Sequence, residues 1–201
     1  MYKRQFIYLP NFVDVSQFSP HGKVGKAFVF FGRIGPEKGL ATFIRAVALA
    51  GVKGWIVGTG PEEEKLRSLA QKLSADVEFL GYKTGEALSD TIGNARAMVL
   101  PSEWYENAPM SVMEAYALER PVIGAAIGGI PELIRTEETG AVFPSGDVTA
   151  LAEKLRQFNA MSDASVLAMG KAGRAWVEQD FTATRYRERL IELYARMGVK
   201  S

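Results

Sequence analysis

Residues 97–124 read AMVLPSEWYENAPMSVMEAYALERPVIG, and this stretch decides the fold. Ala97–Leu100 is a short unbroken apolar run, as in a strand buried on both faces. Pro121–Gly124 is another. Between them, 109–118 carries helix-forming apolar residues, with Pro109 in the first turn, where its missing N–H costs nothing. Two doubly buried strands joined through a helix form a parallel crossover unit. The alternation continues outward in both directions. Strand-like runs recur at 27–31, 54–57, 77–80 and 141–143. Helical spacing links Leu40, Phe43, Ile44 and Val47, then Leu66, Leu69, Ala70 and Leu73, and recurs over 87–94 and 148–158. Strand, helix, strand repeated about five times predicts an α/β, Rossmann-like open parallel sheet with helices on both faces and right-handed crossovers.

Past Phe143 the alternation stops, and three helices are expected over 148–161, 163–179 and 182–197. The last carries Tyr186, Leu190, Leu193, Tyr194 and Met197 on one stripe. It reads first as a helix packed on the sheet of its own domain; the alternative is a helix reaching towards an absent surface. The chain divides into a lead-in segment over 1–24, a Rossmann-like domain over 25–180 and a C-terminal helix over 181–201.

The composition narrows the function classes. The chain has 201 residues, no cysteine, one histidine and a net charge of +1. A disulfide scaffold and a thiolate metal site are excluded. His21 alone supports neither a Ser-His-Asp triad nor a multi-His metal site; in Ser-Pro-His-Gly it reads as a solvated turn. The charge balance gives no field for nucleic acid, so no nucleic-acid partner is expected. No apolar run approaches a membrane span and no signal peptide is evident, so a cytoplasmic location is expected.

In an open α/β sheet, ligands bind at the carboxyl ends of the strands, and the loops there are the unusual parts of this sequence. Gly32-Arg-Ile-Gly-Pro-Glu-Lys-Gly39 follows the first strand. Arg33 and Lys38 beside a helix start suit a diphosphate, and Gly32 lets a ligand approach the backbone. The alternative is a solvated turn. The loop is not a Walker A motif, because Gly39 follows the Lys. Gly58-Thr-Gly60 is followed by Pro61 and Glu62–Glu64, so it reads as a helix entry with acidic residues complementing the dipole. In the opening stretch, Asn107 or Ala108 falls near the helix cap. Glu106 then lies outside the helix at its positive end, and Glu114 about one and a half turns inside. Acceptor-only carboxylates placed this way suit the hydroxyls of one extended polar ligand, with backbone amides near Ala108–Met110 between them. A solvated Glu106 and a surface-paired Glu114 are the alternative.

Taken together these residues resemble the C-terminal, donor-binding half of a retaining GT-B glycosyltransferase of family 4 (glycosyl transferases group 1). The likeness runs through Leu9-Pro-Asn-Phe-Val-Asp14, Phe31-Gly-Arg33, Glu37-Lys-Gly39, Phe79-Leu-Gly81, Leu100-Pro-Ser102, the Glu106/Glu114 pair, Pro121-Val-Ile123, Gly128-Gly129, Pro131-Glu132 and Gly146-Asp147. It implies a nucleoside-diphosphate sugar as donor substrate, no metal or other cofactor, and a second domain carrying the acceptor site. It implies that Arg33 and Lys38 neutralise the donor diphosphate, that Glu106 contacts the transferred sugar and that Glu114 binds the ribose hydroxyls. Gly81 and Tyr82 fall where the family holds the base, and Asn107, Ala108, Pro109 and Met110 lie beside the phosphates and sugar. Two departures stand out: Glu119 replaces the family's usual Gly, and Phe12 replaces the Gly of its Pro-Asn-Gly-Val-Asp motif. Met1–Gln5 has no family counterpart and reads as non-native. On this reading the chain is the donor half of a transferase, inactive alone and in the full enzyme peripheral to the membrane. A stand-alone nucleotide-binding module is the main alternative. A nucleotide-sugar 2-epimerase is a third, disfavoured by the paired glutamates.

Overall fold

The computed structural model describes residues 9–197, so the reading of Met1–Gln5 lies outside the described residues. The order of elements is β1 (Ala27–Phe31), α1 (Leu40–Ala50), β2 (Lys53–Val57), α2 (Glu63–Lys72), β3 (Val77–Phe79), α3 (Gly85–Gly93), β4 (Ala97–Leu100), α4 (Met110–Ala117), β5 (Val122–Ala125), β6 (Gly140–Phe143), α5 (Val148–Ala160), α6 (Asp163–Asp180) and α7 (Ala183–Arg196). The strands form one six-stranded sheet in the order β3-β2-β1-β4-β5-β6, and every pairing is parallel. Every residue of β1, β4 and β5 is buried, which is why they read as unbroken apolar runs. The edge strand β3 instead exposes Glu78, which pairs with Lys53 of β2. Helices cover both faces: α1 packs with α2 and α5, and α4 packs with α6.

The crossover from β5 to β6 departs from the repeating pattern. It contains only a short 3-10 turn, Pro131–Leu133. Ile130, Leu133 and Ile134 fill the space a helix would cover, and Gly124 lets them approach: a Cβ there would lie 2.4 Å from Ile134 Cδ1.

The end of α4 is tightly built. Tyr116 is buried, and its hydroxyl donates to the Leu133 carbonyl at 2.9 Å; burial pushes that hydroxyl's pKa up. Gly170 of α6 sits where a Cβ would be 1.9 Å from the Glu119 carbonyl. Arg120, fully buried, donates to the Leu118 and Ala95 carbonyls at 3.2 Å. Glu119 itself has φ +56°, the left-handed conformation that favours the family's glycine. Glu119→Gly is therefore expected to stabilise the fold by about 1 kcal/mol and to raise the melting temperature by roughly 2–4 °C. Calorimetric scanning measures this, and an unchanged or lowered midpoint would show that Glu119 stores no strain.

The last helix corrects the packing expected for it. None of the residues of α7 is buried, so it does not pack on the sheet. Tyr186 meets Phe12 of the lead-in segment at 5.1 Å between ring centroids, while Ile191, Tyr194 and Met197 are exposed. The lead-in segment is tied down elsewhere: Val13 is buried and donates its N–H to the Phe181 carbonyl at 2.9 Å.

Candidate functional site

The strand order reverses direction between β1 and β4, and a crevice opens there at the carboxyl ends of the strands. The loop after β1 and the loop after β4 flank it. This adjacency, and not sequence spacing, brings the predicted residues together. Lys38 Nζ lies 2.5 Å from Glu106 Oε1, although 68 positions separate the two residues. Arg33 pairs with Glu37 on its own loop. Arg33, Lys38, Glu106 and Glu114 all border one cavity of about 340 Å³, together with Gly32, Pro109 and Met110.

Each side chain is held by local structure. Lys38 ends a 3-10 turn, Pro36–Lys38, and Gly39 follows at φ +64°. A Cβ on Gly39 would lie 1.9 Å from the Pro101 carbonyl oxygen, so the close approach of the two loops requires glycine. The Glu103 N–H donates to the Glu37 carbonyl at 2.9 Å and joins the same loops again. Glu106 is braced from both sides. Ser102, fully buried, donates to Glu106 Oε1 at 3.1 Å. The Gly129 N–H donates to the Glu106 carbonyl at 2.6 Å, and a Cβ on Gly129 would lie 1.9 Å from the Asn107 carbonyl oxygen. Ser102 and the Gly128-Gly129 pair stand in the quoted motifs, but their support of Glu106 is a tertiary contact that no spacing shows.

The helix start needs a small correction. Pro109 is the cap of α4, so Asn107 and Ala108 precede it. Glu106 lies outside the helix and Glu114 inside it, as expected. Among the described residues, the N–H groups of Asn107, Ala108, Met110 and Ser111 make no protein hydrogen bond. Free amides at the positive end of a helix favour an anion. Asn107 and Ala108 do not border the cavity with their side chains; the Ala108 carbonyl accepts from Asn11 Nδ2 at 3.2 Å. Burial pushes the Glu114 carboxyl pKa up.

A second cavity, of about 430 Å³, lies beyond Arg33 and is bordered by Gly32, Gly58, Thr59, Tyr82 and Lys83. Tyr82 is 74% exposed, so its ring is open to a planar ligand that could stack on it. Gly81, with φ +68°, contributes no side chain but turns the chain so that Tyr82 reaches the cavity wall. Gly58 and Thr59 read on sequence as a plain helix entry because of the acidic run that follows. That run faces away: Glu62 and Glu63 pair with Lys65 and Arg67 on the surface of α2. Gly58 also permits close packing, since a Cβ there would lie 1.9 Å from the Gly32 carbonyl oxygen. His21 is not a simple solvated turn: its Nε2 lies 3.0 Å from Asp90 Oδ1.

Among the described residues no cluster of three acidic or imidazole side chains is arranged to hold a metal ion. No described helix is long and apolar enough to cross a membrane.

The family model for glycosyl transferases group 1 matches residues 15–176. A GDP-mannose-dependent monoacylated alpha-(1-6)-phosphatidylinositol monomannoside mannosyltransferase of Corynebacterium glutamicum is 31% identical over 215 residues, covering 94% of this chain and 55% of its own. The amylovoran biosynthesis glycosyltransferase AmsK of Erwinia amylovora is 30% identical over 178 residues, covering 83% of this chain and 44% of its own. The chain spans about half the length of the curated relatives it matches. Among solved structures, the sucrose-phosphate synthase of Thermosynechococcus elongatus superposes with a TM-score of 0.83 at 27% identity, over 96% of this chain and 53% of its own. Anabaena HepE, solved in complex with UDP and glucose, superposes with a TM-score of 0.80 over 92% of this chain and 55% of its own; at 20% identity the likeness is one of fold. The matched span covers both loops that flank the crevice, and the chain belongs to the glycosyl transferases group 1 family.

Proposed function

We propose that this domain binds the nucleoside-diphosphate sugar donor of a retaining, family 4 glycosyltransferase, without a metal ion. The observation that carries the proposal is the meeting of Arg33 and Lys38 with Glu106 and Glu114 across the strand-order reversal, beside the free amides at the start of α4. A diphosphate is the ligand that satisfies two cations and those amides together. On this reading Glu106 accepts from hydroxyls of the sugar and Glu114 from hydroxyls of the ribose; both border the same cavity. The cavity at Tyr82 is large enough for a base. As the bond from the sugar to the diphosphate breaks, Arg33 and Lys38 stabilise the charge on the leaving group, the step at which fixed electrostatics contribute most. Sugar transfer is proposed of an assembly in which a second domain closes the cleft and excludes water; this domain by itself is expected to bind donor and transfer nothing. The relative named for GDP-mannose and the fold neighbour solved with UDP support a nucleoside diphosphate as the ligand.

The test is the pH dependence of ribose recognition. Burial favours the protonated Glu114 carboxyl in the free protein. A carboxyl whose folded pKa is raised makes its largest relative contribution to stability below the unfolded value and loses it as pH rises through the raised one. Ribose hydroxyls donate to the ionised form, so nucleotide binding must pull the pKa back down and release a proton. Preference for UDP or GDP over the 2′-deoxy forms should therefore grow as pH rises from the ordinary carboxylate value of 4.5 through the raised one. Calorimetry in buffers of different ionisation enthalpy reads the released proton directly. In Glu114→Gln the preference should be small and independent of pH. A preference retained in that variant would assign ribose recognition to other residues.

A further inference from the structure

His21, the only histidine in the chain, lies outside the β1–β4 crevice yet is built into the fold. Its Nε2 lies 3.0 Å from Asp90 Oδ1 of α3. Its ring rests on the last turn of α3, where a Cβ on Gly93 would be 2.3 Å from His21 Cδ2. The lead-in segment that carries His21 is itself anchored. Arg174 Nη1 of α6 donates to the Phe18 carbonyl at 3.2 Å, and the same nitrogen donates to the carbonyl of Ala117, at the end of α4. The contact of His21 with Asp90 thus joins α3 to the elements that hold α4. Other anchors of α3 are few. Its only buried residues are Thr91, Ile92 and Gly93, all in its last turn, while Thr84–Ala87 at its start are exposed. That start carries one wall of the proposed nucleoside site. Lys83 and Leu88 border the cavity at Tyr82, and Lys83 Nζ donates to Thr91 Oγ1 at 3.0 Å, so the loop before α3 is tied to the helix. Leu88 also borders a cavity of about 470 Å³ between α3 and the lead-in segment, which His21, Asp90 and Glu114 of α4 border as well. A nucleoside with its base at Tyr82 and its ribose on Glu114 spans α3 and α4, and its fit depends on their separation.

We propose that His21 is a positioning residue for the nucleoside: its clasp on Asp90 holds α3 at the distance from α4 that base and ribose require. The inference rests on the donor reading above. The clasp responds to charge. The other titratable groups bordering the cavity beside His21 are Glu86 and Asp90 of α3 and Glu114 of α4, and no lysine or arginine borders it. An imidazolium there meets carboxyls alone, and protonation turns a hydrogen bond to Asp90 into a charge-assisted one. Because the clasp and the nucleoside both favour α3 in its place, protonation of His21 and nucleoside binding strengthen each other by the same factor.

The test measures Kd for UDP, GDP and inorganic pyrophosphate on the chain as it is, across about pH 5.5–8, the range in which imidazoles ordinarily change charge. His21→Gln keeps a hydrogen-bond donor without a charge, and Asp90→Asn removes the charge from the other side. As pH falls, the wild type is expected to gain nucleotide affinity over each variant by about two- to fivefold, the scale of one half-exposed ion pair. The double variant should lose no more than either single one. Pyrophosphate, which has neither base nor ribose, should show no such difference. Glu114 and the terminal phosphate of the nucleotide also titrate, but alike in wild type and variants, so the difference between them isolates the clasp. Equal nucleotide affinities at every pH would overturn the positioning role and leave the donor reading intact. So would a difference that pyrophosphate shares, or one seen in His21→Gln and not in Asp90→Asn. Failure of UDP and GDP to bind the wild-type chain would instead overturn the donor reading, and this inference with it.

Discussion

Lys38→Ala is expected to weaken binding of UDP or GDP by about 1.5–3 kcal/mol, the scale of a hydrogen bond to a charged group, or roughly ten- to a hundredfold in Kd. The corresponding nucleoside should lose far less. Two effects act in the same direction. The ammonium proposed to meet the diphosphate is gone, and Glu106, whose Oε1 lies 2.5 Å from Lys38 Nζ in the free protein, is left without its cation beside an incoming anion. Wild-type binding already includes the cost of drawing Lys38 away from Glu106, so the variant reports the net gain from that exchange. Both side chains are about four-fifths covered, at 21% and 22% exposure, which limits screening by water and salt. Arg33, whose side chain is 63% exposed, should matter less in the open domain. Calorimetric titration with diphosphate and with nucleoside measures the contrast. An equal loss for both ligands would mean that the substitution disturbs the loop, and would remove Lys38 from the phosphate site.

The largest stability effect is expected at Gly39. Its φ of +64° is a left-handed conformation, and an added Cβ would lie 1.9 Å from the Pro101 carbonyl oxygen. Strain of about 1–2 kcal/mol is joined by overpacking of about 1–3 kcal/mol. Gly39→Ala should thus destabilise the fold by roughly 2–5 kcal/mol and lower the melting temperature by about 5–15 °C. Gly51 supplies the control. It has φ +67°, but a Cβ there would meet nothing within 4 Å, so Gly51→Ala carries only the strain. Equal effects at both positions would show that the approach of the two loops tolerates a methyl group. The Gly39 variant should lose nucleotide affinity as well, because the same contact places Lys38 opposite Glu106.

Much of the sheet is legible in the sequence because its strands are buried on both faces. Ala27–Phe31 and Ala97–Leu100 have the bounds expected of them, since an unbroken apolar run has no competing interpretation between two polar loops. The helix start at Met110 is displaced by one or two positions because Pro109 serves as the cap. The β5–β6 crossover lacks a helix, and Ile130, Leu133 and Ile134 fill the gap, so apolar content there gives no warning of the change. The α7 stripe is amphipathic enough to suggest packing, yet periodicity states only that a face is apolar and not what covers it.

The site is legible in parts. Arg33, Lys38, Glu106 and Glu114 are visible as residue types at strand ends, but their meeting depends on β1 and β4 being neighbours. Ser102, Gly128 and Gly129 act through tertiary contacts with the turn at Glu106. Gly58 and Thr59 are obscured by the acidic run at Glu62–Glu64; Glu62 and Glu63 reach lysine and arginine partners on the surface of α2.

A crystal structure of this chain with UDP or GDP bound would decide whether the β1–β4 crevice is the donor site. The diphosphate is expected between Lys38 and the amides at the start of α4, with Lys38 Nζ moved off Glu106, the ribose hydroxyls on Glu114 and the base against Tyr82. A nucleotide bound away from that crevice, or one that leaves the Lys38–Glu106 pair closed, would contradict the assignment.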